Sequence, residues 1–220
     1  MDITRFFLLL LIAAVAPFSA LAKDDPVLVN KIEFKKLQAS DIPSSSGQWT
    51  RIEVVLDGKF NPDEKSNNAQ WIRNIEVILT LVYQDEKAQD KNSPESLLVM
   101  KSKVRLFAIK VAAKTSAVFY IPAEAFPIYR LRPEPYAYSI DLSVCGTKVE
   151  LTKDNVKSLL SKRILRAGDP KKVYDNYLKL VQSAASANEK VLMSLPEAPL
   201  NVQRYEYDKA KDIPTYLLAN

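Results

Sequence analysis

The chain has 220 residues, a formal net charge of +5, one cysteine and no histidine. Without histidine there is no Ser-His-Asp or Cys-His catalysis, no histidine metal site and no histidine proton shuttle. Cys145 alone cannot close an internal disulfide, so stability must come from a buried core, which a chain of this size can build.

The N-terminus reads as a secretory signal peptide. Arg5 precedes an uninterrupted apolar run from Phe6 to Ala16, and Ala20-Leu21-Ala22 fits the small-residue cleavage pattern. The run falls well short of the roughly 20 residues a membrane-spanning helix needs. The expected mature chain is therefore residues 23–220. No cysteine follows the cleavage point to take a lipid, and no later segment is apolar enough to span a bilayer.

The mature chain opens with a predicted strand over Val27–Phe34. A polar loop, Gln38–Gln48, carries Pro43, four serines and Gly47. In Trp49–Leu56, Thr50, Ile52, Val54 and Leu56 share one face at period 2, which predicts a half-buried strand. Asp57-Gly58 reads as a turn, and Asn61–Asn68 as a second loop. Trp71–Tyr83 is the clearest strand, with Trp71, Arg73, Ile75, Val77, Leu79, Leu81 and Tyr83 on one face. Gln84–Ser93 is a polar loop ended by Pro94. Leu97–Ile109 and Ser116–Ile121 are further strands, with Lys114-Thr115 in the turn between them.

Pro122–Pro135 holds four prolines, which argues against a central strand. In Tyr136–Val144, Tyr136, Tyr138, Ile140, Leu142 and Val144 share a face, and Gly146 turns the chain into a hairpin ending at Leu151. Cys145 is expected to be a buried small hydrophobe. At Thr152 the period changes. Val156, Leu159, Leu160 and Ile164 recur at helical spacing behind Thr152 or Asp154 as N-cap. Asp169-Pro170 starts another helix, with Val173, Tyr177, Leu180 and Val181 as its apolar stripe, running as far as Met193. Pro196 and Pro199 end it, and a tail with Tyr205, Tyr207, Tyr216 and Leu217 follows.

Seven or eight short strands without intervening helices predict a mainly β chain, an immunoglobulin-like antiparallel β-sandwich with a C-terminal helical extension. The expected organisation is a signal peptide over 1–22, the sandwich over 23–151, a helical segment over 152–195 and a tail over 196–220.

Chemistry-bearing motifs are sparse. Four scattered glycines form neither a P-loop nor a dinucleotide fingerprint, and neither S-x-x-K nor G-x-S-x-G occurs. Strand carboxylates such as Glu53 and Glu76 would serve glycoside hydrolysis only if folding brought them together. Asn61, Asp63, Asn67 and Asn68, and Asp85, Glu86 and Asp90, lack calcium-loop spacing. No cofactor, metal site or catalytic residue is expected. Charge is uneven: net −3 over residues 23–100, +9 over 101–172 and −1 over 173–220. The middle segment is thus a basic surface candidate, for which an exported protein would meet envelope proteins or anionic host glycans rather than nucleic acid. The Tyr/Arg-rich proline loop supplies the candidate ligand-binding residues Tyr129, Arg130, Arg132 and Tyr136, since tyrosine and arginine are favoured at binding surfaces. Phe126 and Tyr138 flank it, and the loop could equally plug the open end of the sandwich.

The signal peptide, the Ig-like strand series from Trp49 to Leu151 and the helical segment from Asp169-Pro170 together resemble the exported immunoglobulin-like proteins associated with type IV pili in a mucin-dwelling gut bacterium. That resemblance implies a non-enzymatic cell-surface or pilus-associated binding role, with envelope or pilus proteins as partners. Cell adhesion follows as an expected theme. The chain departs from a major pilin, because charged Lys23-Asp24-Asp25 follows Ala22 where a retained hydrophobic helix would stand. A carbohydrate-binding or carbohydrate-active protein, and a periplasmic chaperone or assembly factor that captures a client strand on a sheet edge, are the alternatives.

Overall fold

A computed structural model of the chain describes residues 24–38, 40–42, 47–85, 96–152, 155–165, 169–186, 191–209 and 214–217. The proposed signal peptide lies outside them, as do Pro43, Asp154 and most of the Gln84–Ser93 loop. In chain order the elements are β1 (Val27–Lys36), β2 (Thr50–Gly58), β3 (Trp71–Gln84), β4 (Leu97–Lys110), β5 (Lys114–Ile121) and α1 (Ala125–Ile128). They continue with β6 (Ala137–Val144), β7 (Thr147–Lys148), α2 (Val156–Leu159), α3 (Lys162–Leu165), α4 (Pro170–Ser183) and β8 (Ala185–Ser186). Last come β9 (Met193–Ser194), a 3-10 turn (Leu195–Glu197), α5 (Leu200–Lys209) and β10 (Tyr216–Leu217).

Two sheets face each other. One runs β1-β2-β5-β9; the other runs β10-β4-β3-β6-β7, with β8 parallel to β4. The pairings β1-β2-β5 and β4-β3-β6-β7 are antiparallel and make an immunoglobulin-like sandwich with a C-terminal helical extension. Alternating side chains fill its centre. Ile52, Val54, Leu56 and Phe119 from the first sheet meet Val77, Leu79, Leu81, Ile140 and Leu142 from the second. Each such side chain contributes about 1.5–3 kcal/mol of burial.

The C-terminal segment covers both outer faces. On the first sheet, Trp49, Val118 and Tyr120 lie under Leu195, Ala198 and Val202. On the second, Val82, Leu97, Val99 and Ala137 lie under Val156, Leu160, Ile164 and Tyr177. β5 is therefore apolar on both faces over Ala117–Ile121, as a doubly covered strand must be. Asn155, buried, ties this layer to the chain start through Asp25 (2.7 Å) and to the Glu150 carbonyl (2.8 Å).

Several local expectations change. Asp57 and Gly58 belong to β2, paired with Leu28 and Val27. Glycine is required at 58 because a Cβ there would lie 2.8 Å from the Lys110 carbonyl oxygen. Lys114 and Thr115 are in β5; the turn is Val111–Ala113, where Ala112 takes φ +58°. Along β3 the inward face switches at Asn74, whose φ is +51°. Ile72 is therefore buried and Trp71 and Arg73 exposed, opposite to strict alternation. Cys145 is exposed, not buried: with φ +52° it forms the β6–β7 turn beside Gly146 (φ +81°).

The helical region is also more broken than its periodicity predicts. Leu160 is extended and bridges Ser139, which separates α2 from α3. Asn155 stands at the N-cap of α2, trading hydrogen bonds with Thr152. Asp169 Oδ1 accepts from the Lys172 N–H at the start of α4. α4 stops at Ser183 instead of reaching Met193, and Pro196 and Pro199 stand at the beginning of new helical turns.

Candidate functional site

The proline-studded segment is anchored by Phe126 and Leu131, which pack on the central core. Between them α1 closes on the Tyr129 N–H to Ala125 carbonyl bond (2.9 Å), and Arg130 reverses the chain with φ +51°. This places Tyr129 and Arg130 just past the end of the short helix, both exposed. Downstream, Arg132, Pro133, Glu134, Pro135 and Tyr136 line a groove of about 430 Å³ together with Gln84 and Arg163. The structure thus separates the four predicted residues into two pairs and adds an arginine to one of them.

Arg163 comes from α3, whose neighbouring Ile164 is buried in the helical layer. Its guanidinium carbon sits 3.6 Å from the Tyr136 ring centroid. Stacking holds the plane of the cation by its face and leaves its N–H edges for a planar anion. No local pattern in the sequence marks Arg163; only the docking of α3 brings it to Tyr136.

A second polar cluster lies on the outer face of the other sheet, beneath α5. Glu206 is buried and accepts two bonds from Arg51, from Nε at 2.8 Å and Nη2 at 2.6 Å. The Tyr120 hydroxyl also donates to Glu206. Arg51 Nη1 reaches Glu53 at 2.5 Å, and the Ser116 hydroxyl donates to the same carboxylate. One guanidinium thus bridges two carboxylates and pins α5 to the sheet. Above it is a cavity of about 360 Å³, lined also by Lys35, Asp41, Tyr205 and Lys209.

Burial alone would raise the Glu53 carboxyl, but the bonds from Arg51 and Ser116 and the charge of Arg51 outweigh it and hold it low. A depressed carboxyl stabilises the fold above its unfolded value, about 4.3, and the stabilisation is lost as pH falls through the folded value. Glu53→Gln is therefore expected to lower the thermal midpoint at pH 6, with the deficit shrinking toward pH 3. Parallel pH profiles for the two proteins would contradict this assignment.

Glu76, the other strand carboxylate, lies on the opposite sheet and pairs with Arg105 at 2.8 Å, so it does not converge with Glu53. The Asn61–Asn68 loop uses its polar side chains on itself. Asn61 Oδ1 accepts from the Asp63 N–H, Asp63 Oδ1 from the Lys65 N–H, and Asn61 Nδ2 donates to the Asn68 carbonyl. Among the described residues no group of three acidic or cysteine side chains is placed to hold a metal ion.

No family model matches the chain. No curated protein matches it either. A crystal structure of a protein from Akkermansia muciniphila is similar in fold, with a TM-score of 0.57 at 14% sequence identity. The likeness covers 88% of this chain and 94% of that one, so it extends through the helical extension and not only the sandwich.

Proposed function

We propose that the chain is a non-enzymatic exported binding module, cell-surface or pilus-associated, and that Arg132, Tyr136 and Arg163 receive an anionic group of its envelope partner. The observation that carries this reading is the stacked Arg163–Tyr136 pair beside Arg132 at the mouth of one groove. The likeness in fold to the Akkermansia muciniphila protein and the sequence pattern of a signal peptide support the wider setting. Among the described residues no helix is long and apolar enough to cross a membrane.

Capture of a client strand is the weaker reading. The outer edge strand β1 slips register between Val29 and Lys31 and carries Lys31, Lys35 and Lys36, features that blunt an edge against added strands.

The test is capture from envelope extract by the purified protein. A hydrogen-bonded charge is worth about 1.5–3 kcal/mol, so Arg163→Ser should weaken a captured partner roughly tenfold or more. Tyr136→Ala should act in the same direction, while Tyr129→Ala should not. Retention of the same partner by Arg163→Ser at unchanged strength would overturn the assignment of the groove.

A further inference from the structure

The helices α2, α3 and α4 shield only one half of the outer face of the six-stranded sheet, over Val82, Leu97, Val99 and Ala137. No described element covers the other half, and register defines what stands on it. One cross-strand row runs Leu217, Arg105, Glu76, Ser143 and Lys148. The next on one side holds Lys103, Ile78 and Asp141, and beyond the first row on the other side come Phe107, Arg73 and the pair Trp71–Lys110.

Two properties coincide there. Arg73, Lys103, Arg105, Lys110 and Lys148 are cations on a face where the described residues place two carboxylates, Glu76 and Asp141. Glu76 lies 2.8 Å from Arg105 and 3.8 Å from Lys103, and Asp141 lies 2.9 Å from Lys148. The face therefore keeps a positive excess after its own ion pairs form. Among these charges stand three large apolar side chains exposed to water: Trp71 at 40%, Phe107 at 52% and Leu217 at 37%.

We infer that this face seats on an anionic membrane surface. Cations near a bilayer carrying acidic lipids each gain about fivefold in partitioning. Tryptophan and phenylalanine beside them are the residues that enter the headgroup region. A soluble polyanion would answer the charges but would leave Trp71, Phe107 and Leu217 in water, so the apolar side chains select a lipid surface over a polysaccharide. The broad outer face of a sheet also presents these residues together, which suits an extended surface better than a small ligand. The face and the Arg163 groove share no residue, so the two proposals stand independently.

The experiment is vesicle partitioning with the whole purified protein. Vesicles of phosphatidylcholine alone are compared with phosphatidylcholine mixed with phosphatidylglycerol, at about 0.05 M and about 0.3 M salt. The expected result is binding to the acidic vesicles only, weakening at least tenfold at the higher salt. Trp49 is buried and Trp71 is exposed, so emission should shift to the blue on binding, and Trp71→Phe should abolish the shift. Arg73→Glu with Lys103→Glu should reduce partitioning by about twentyfold or more at the lower salt. Phe107→Ser should reduce it without changing the salt dependence. Matching thermal midpoints of these variants with the parent separate loss of binding from loss of fold, and Arg163→Ser should bind vesicles like the parent. No partitioning into acidic vesicles at the lower salt would overturn the proposal. So would partitioning insensitive to these substitutions, or complete displacement by soluble heparin with no blue shift of Trp71.

Discussion

Arg51→Met is expected to destabilise the protein by about 3–5 kcal/mol, the cost of leaving a buried partner charge uncompensated. Arg51 and Glu206 expose only 15% and 6% of their side chains and meet in a two-bond fork. Removing the guanidinium leaves Glu206 buried with, among the described residues, the Tyr120 hydroxyl as its one side-chain donor, and takes a bond from Glu53 as well. Glu206→Leu in the same chain should recover much of the loss, because the pair then becomes apolar contact under α5. Urea denaturation of the single and double variants measures both terms. A loss below about 1 kcal/mol in Arg51→Met would show the pair to behave like an exposed one, and α5 would then be held by its apolar contacts alone.

A chain ending at Leu151 is expected not to reach the native sandwich. Val118, Tyr120 and Trp49 would keep Leu37 and Ile42 but lose the cover of Leu195, Ala198 and Val202, and Val82, Leu97, Val99 and Ala137 would lose the second helical layer. The β4 edge would also open. In the whole chain β8 pairs at Leu98 and Val99, the Glu197 carboxylate accepts from Ser102, and β10 pairs at Arg105 and Leu106. The last segment reaches across the sandwich too, since the Tyr216 hydroxyl donates to the Ser116 carbonyl of β5. The truncated chain should be aggregated or bind a hydrophobic dye, with poor dispersion in its amide spectrum. A soluble, well-dispersed monomer would show the sandwich to be independent of its extension.

The strands were legible wherever one face is buried and the backbone stays regular. Thr50, Ile52, Val54 and Leu56 are all buried, and so are Ile75, Val77, Leu79, Leu81 and Tyr83. Reading failed where a single residue left the extended region. Asn74 and Ala112 both take positive φ, and neither type demands it, so the face switch in β3 and the true turn before β5 had no sequence signal. Gly58 gave the opposite error: its lack of a side chain serves a close approach to Lys110, where composition suggested a turn.

Binding residues divide in the same way. The Tyr/Arg composition of the proline loop drew attention to Arg132 and Tyr136, but it could not separate them from Tyr129 and Arg130, which follow the end of α1 and do not line the groove. Arg163 joins only because Leu160 interrupts the helix and bridges Ser139. Arg51 and Glu206 are 155 residues apart, and no periodicity relates them.

By itself, then, the sequence determined the class of the fold, the order of the main strands and the absence of histidine chemistry. Those follow from side-chain type and from spacing within ten or so residues, the range over which strand and helix periods act. The tertiary structure alone decided that the C-terminal third forms a cover on both sheets, which arginine stacks on Tyr136, and which lysines share a face with Trp71 and Phe107. These depend on pairing and packing between distant segments, which local pattern does not encode.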